Sequence, residues 1–110
     1  MIKDIKYSHR KNKRFKVLMD NNDIFHFGLK NGETYIDHND TKKRDNYVKR
    51  HLKNTNENDL ISNIIPSPAL FSAVLLWGPY KTLQENAHYL NNLFKMKEKD
   101  KDFKLTYKFI

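Results

Sequence analysis

One extended apolar run, Ala69 to Trp77, broken only by Ser72, is bracketed by Ser67-Pro68 before it and Gly78-Pro79 after it. Serine as N-cap with proline at the first helical position starts a helix, and Gly-Pro stops one, so the sequence predicts a sharply bounded helix here. At 1.5 Å per residue it would reach roughly 14 Å, about half of a bilayer core. The run is therefore expected to be a buried core helix against which the rest of the chain packs, rather than a membrane span. A chain of 110 residues has room for one such core and not for two ordinary ones, so residues 1–110 read as a single domain. Charged residues reach 31%, but 7 Phe, 6 Tyr and 1 Trp supply large apolar surfaces that make a core feasible.

Upstream, Phe15, Val17 and Met19 alternate with Lys16 and Leu18, Asn21-Asn22-Asp23 offers a turn, and Ile24-Phe25-His26-Phe27 precedes Gly28. That pattern is a hairpin. Asn31-Gly32 signals another turn, and Glu33 to Asp37, with Thr34, Tyr35 and Ile36, is expected as the third strand of an antiparallel meander. Residues 1–12 are open to reading as a flexible basic arm. Asp40 or Thr41 can cap a helix to about Lys53, which the asparagine-rich stretch 54–58 should end in a loop. After the apolar helix, Thr82 and Glu85 form a capping box, and Leu83, Ala87, Leu90 and Phe94 recur at helical spacing. Lys95 to Asp102 reads as a charged linker, and Phe103, Leu105, Tyr107 and Phe109 alternate as a C-terminal strand that pairs within the molecule or adds to a neighbour's sheet. Strands followed by three helices and a last strand make an α+β domain.

The formal charge of +8 lies in the first half: residues 1–53 carry 14 Lys and Arg against 7 Asp and Glu, whereas residues 54–110 carry 7 against 6. A one-sided positive field suits a polyanion. Two clusters produce it. Lys6, Arg10, Lys11, Lys13, Arg14 and Lys16 are interleaved with Tyr7, His9 and Phe15 on the segment entering the sheet, a composition that can hold phosphates and stack on an unpaired base. In the helix 42–53, Lys42, Lys43, Lys49, Arg50 and Lys53 fall on one arc of about 120°, opposite Tyr47, Val48, His51 and Leu52. One face packs and the other is a cationic ridge, fit to lie along phosphates and also compatible with an ordinary solvated surface.

Arg44 and His51 lie on the inward arc of that helix, so a structural polar network of His38, Asp40, Arg44 and His51, with Asp37 beside them, is expected at the helix start. The catalytic alternative uses His38, Asp40 and His51 as a metal site or acid–base set in a nuclease. Against it, the sequence has no helical His-x-x-x-His, and no metal or other cofactor is called for. Ser8, Ser62, Ser67 and Ser72 lack a nucleophile elbow, and the absence of cysteine removes thiolate chemistry and disulfides. Nor does the N-terminal stretch resemble a secretory signal.

Lys11-Asn12-Lys13-Arg14-Phe15, Phe25-His26-Phe27-Gly28, Asp37-His38-Asn39-Asp40 with Lys43-Arg44, Tyr47 and Arg50-His51, and Leu75-Leu76-Trp77 together resemble a family of small uncharacterised basic proteins encoded by large double-stranded DNA viruses. The resemblance covers roughly residues 10–85 and carries no activity to transfer. It implies a viral setting, in the virion or in the host cytoplasm or viral factory. The expected function is non-enzymatic, sequence-nonspecific binding of nucleic acid, DNA foremost, through the two basic clusters. The alternative is a minor capsid-associated protein that meets acidic viral structural proteins through the apolar helix or the C-terminal strand. A metal-dependent nuclease comes third, and the sequence leaves the oligomeric state open.

Overall fold

A computed structural model describes residues 1–105, the side chain of Leu52 excepted. Three antiparallel strands come first, β1 (Ile2–Tyr7), β2 (Lys13–Met19) and β3 (Ile24–Leu29), in the spatial order β1-β2-β3. Helices follow: α1 (Tyr35–His38), α2 (Thr41–Leu52), α3 (Thr55–Ser62), α4 (Pro68–Phe71) running directly into a π-helical turn (Ser72–Leu76), and α5 (Leu83–Lys99). The chain is thus α+β, with the antiparallel sheet at its N-terminal end.

The β2–β3 hairpin matches its sequence signals, with Asn22 at the turn in the left-handed region (φ 73°) that asparagine tolerates. Alternation along β2 buries Phe15, Val17 and Met19 on one face, where Phe27 joins them. Against that face sits Phe71, its ring 5.4 Å from Phe25 and 5.8 Å from Phe27. The Ala69–Trp77 run is core: Leu70, Phe71, Val74, Leu75 and Leu76 are fully buried. Each such side chain contributes about 1.5–3 kcal/mol of apolar burial, which is why this segment organises the fold. It is α-helical only to Phe71, then widens by one residue per turn before Gly78 ends it.

Several expectations are corrected. The third strand is not Glu33–Asp37 but β1, so residues 1–12 are no free arm. Glu33–Asp37 instead turns into α1: the Asp37 carboxylate accepts from the Thr34 backbone N–H (2.9 Å) and hydroxyl (2.9 Å), a capping box that competes with extension. Residues 54–58 form no loop, because the Asn54 side chain accepts from Glu57 N (3.1 Å) and caps α3. Most of the charged linker is helix, since α5 continues to Lys99. Phe103–Leu105 form no strand; Leu105 is buried and donates its N–H to the Ser62 carbonyl (2.8 Å). The remainder of the expected C-terminal strand, residues 106–110, lies outside the described residues.

Candidate nucleic-acid interface

Helix α2 owes its position to Asp40, whose carboxylate accepts from Lys42 N (3.0 Å) and Lys43 N (3.2 Å), and to the burial of Tyr47 and Val48. That anchoring turns Lys42, Lys43, Lys49, Arg50 and Lys53 to solvent. None of the five is in an ion pair among the described residues. Lys49 and Arg50 also sit in the last turn, where the helix dipole favours cations.

The second cluster divides. Arg14 donates two bonds to Asp37 (2.7 and 2.6 Å), a bidentate pair that holds the Asp37 carboxyl at about 2, below its ordinary 3.8. Arg14 therefore clamps α1 to β2 and its charge is already matched. Lys6 and Lys16 lie instead on the sheet face that points away from the core, and Arg10 and Lys13 are near enough to act on the charge of the His26 ring there. Lys6 pairs across the strands with Lys16, and Lys16 with His26. Directly opposed residues share a face, so the three form one row. Lys11 is exposed in the turn that leads into β2.

His26 is the centre of this group, and its alternation with Phe25 and Phe27 shows only that it faces away from the core. It is 8% exposed, covered by Ser8, whose hydroxyl lies 2.7 Å from His26 Nδ1 and accepts from Arg10 N (3.0 Å), and by the edge of the His9 ring at 5.1 Å. Burial lowers the His26 pKa first, and Arg10, His9, Lys16 and Lys13 lower it further by their charge. Burial and the nearby cations thus both favour the neutral form of the ring. Alternation alone could not reveal that cover, because Ser8 and His9 reach it from another strand's end.

The residues expected as one polar network occupy three places. His38 Nδ1 accepts from Asp40 N (3.0 Å) at the start of α2, its ring 5.5 Å from Trp77. Arg44 is buried, donating to the Gly78 carbonyl (3.2 Å) with its guanidinium 4.3 Å above the Tyr35 ring. His51 pairs with Glu57 of α3 and packs on Tyr47 at 4.0 Å, and Tyr47 in turn stacks on Trp77 at 4.4 Å. The common thread is aromatic rather than ionic: α2 is fastened to the Trp77–Gly78 corner by stacked rings and one buried guanidinium. Among the described residues no three His, Asp or Glu side chains converge as metal ligands would. No helix there is long and apolar enough to cross a membrane.

The model of a family of unknown function (DUF5754) matches residues 3–51, which is the sheet but for Ile2, α1 and all but the last residue of α2. Both cationic surfaces except Lys53 fall inside that span. No curated protein and no solved structure matches the chain.

Proposed function

We propose that this protein is a non-enzymatic nucleic-acid-binding protein that grips the phosphate backbone without reading sequence. The observation that carries the reading is charge unmatched by carboxylates: Lys42, Lys43, Lys49, Arg50 and Lys53 on α2, and Arg10, Lys11, Lys13 and Lys16 at the sheet, are in no ion pair among the described residues. Neutralised cations would offer a phosphate little, whereas these release condensed counterions when they meet one. Arg14, spent on Asp37, drops out of the set. The viral setting is part of this proposal and rests on the resemblance alone.

Of the two docking surfaces of the capsid-associated alternative, the apolar helix is core, and most of the C-terminal strand lies outside the described residues. A gel-shift titration of the purified chain against labelled duplex and single-stranded DNA at low salt tests the choice. Micromolar binding that is insensitive to sequence is expected. No shift with either probe sinks the proposal.

A further inference from the structure

The core face of the sheet is covered by the apolar helix. The opposite face is not. Asp4, Lys6, Lys16, Leu18 and Ile24 line an open hollow there, and Ile24 is 55% exposed. Beside the hollow runs the row Lys6–Lys16–His26, with His9 edge-on to His26 and Arg10 and Lys13 near enough to act on its charge. Lys6 meets Asp4 at 3.7 Å, an exposed contact worth little, and Lys16 meets no carboxylate among the described residues. Tyr7 belongs to the other face of the sheet: it lies directly opposite Phe15, and its ring stacks 5.4 Å from that side chain.

We propose that this open sheet face is a platform for a single strand of nucleic acid, and that the protein prefers unpaired strands to duplex. The inference rests on the backbone-binding reading above and deepens it. Shape supplies the first argument. The major groove, roughly 12 Å wide, admits a helix or a two-stranded ribbon, whereas three strands about 4.8 Å apart with their side chains are broader than that. An unpaired strand meets no such limit, because its bases can turn onto the sheet while its phosphates follow the lysines. Chemistry supplies the second. Lys6, Lys16 and Arg10 provide cations for phosphates, the Leu18–Ile24 hollow is apolar, and the His9 ring offers a π-face, a combination a duplex with buried bases could not use. The α2 ridge, a single exposed helix, accepts phosphates from either form.

The test is fluorescence anisotropy with a labelled oligothymidylate and a duplex of equal length, on the full chain and two charge-reversed variants whose thermal melts confirm folding. The proposal expects the single strand to bind about tenfold tighter than the duplex or better. Lys6→Glu with Lys16→Glu should weaken single-strand binding about tenfold while changing duplex binding far less, and His9→Ala should weaken it about fivefold or more, the effect of losing one stacked base. Lys42→Glu with Lys49→Glu should weaken both probes alike. Ultraviolet crosslinking of a 4-thiothymidine strand gives a readout free of any variant, and its adducts should map to His9, Lys16, Leu18 or Ile24. Equal affinity for both probes, or losses and crosslinks confined to α2, would overturn the platform and leave the backbone-binding reading standing. No binding to either probe would remove both.

Discussion

Asn86 shows how much one buried amide can hold. Fully enclosed, it donates to the Leu75 carbonyl (3.1 Å) and the Tyr80 carbonyl (3.0 Å) and accepts from Tyr80 N (2.9 Å), pinning the corner that follows the apolar helix to α5. Gly78 lies beneath it, where a Cβ would stand 1.9 Å from the Val74 carbonyl. Asn86→Ala would strand those backbone groups in the core, and we expect a loss of about 2–4 kcal/mol in urea unfolding. A loss under about 0.5 kcal/mol, the range of ordinary surface substitutions, would mean that the corner holds itself. His26 makes a second residue-scale prediction. Its folded pKa is lowered from 6.5, so the unfolded chain binds more protons as pH falls through that value. Its contribution to stability is full above about pH 6.5 and declines as pH drops toward the folded pKa. Melting temperature measured between pH 8 and 5 should fall on the acid side, and His26→Gln should flatten that part of the profile.

At the scale of elements, legibility in the sequence followed the simplicity of the local signal. Caps and alternation placed β2, β3, α2 and the start of α5, because Phe15, Val17 and Met19 or Thr82 and Glu85 act through neighbours in the chain. Strand β1 escaped because of a bulge. Its register shifts between Ile2 and Asp4, so the core-side Ile2 and Ile5 are three residues apart and the period of two is broken. Thr34-x-x-Asp37 did carry a cap signal, but the β-preferring Tyr35 and Ile36 between them masked it, and the Arg14 clamp that favours the turn comes from 23 residues away. The cationic ridge was legible as helical periodicity, whereas the Ser8–His26–His9 cluster depends on the unseen β1–β2 pairing. Asn91 replaces the missing ladder bonds at that bulge, accepting from Ile2 N (2.7 Å) and donating to the Ile2 carbonyl (3.2 Å). Asn91→Ala should therefore speed amide hydrogen exchange in β1 selectively, with β2 and β3 less affected. Uniform acceleration across the sheet would show that β1 does not open as a separate unit.

The described residues form a compact body with radius of gyration 13.1 Å, and most of the cations on its exposed helix α2 and on the uncovered sheet face meet no carboxylate among those residues. Its core elements consume aromatic and apolar side chains, and the buried or half-buried cations Arg44 and Arg14 are engaged by Gly78 and Asp37. On the proposed reading the surface left outside holds phosphates, and the mark of such binding is sensitivity to salt. Apolar docking to a protein partner would be far less screened. The most direct measurement is the affinity for a labelled DNA duplex across a series of salt concentrations, for the native chain and for Lys42→Glu with Lys49→Glu. A linear fall of log affinity with log salt is expected, with the slope becoming shallower by ~0.9 for each phosphate contact the variant loses. Affinity that is flat in salt, or a slope unchanged in the variant, would contradict the assignment of α2 as a phosphate-binding ridge.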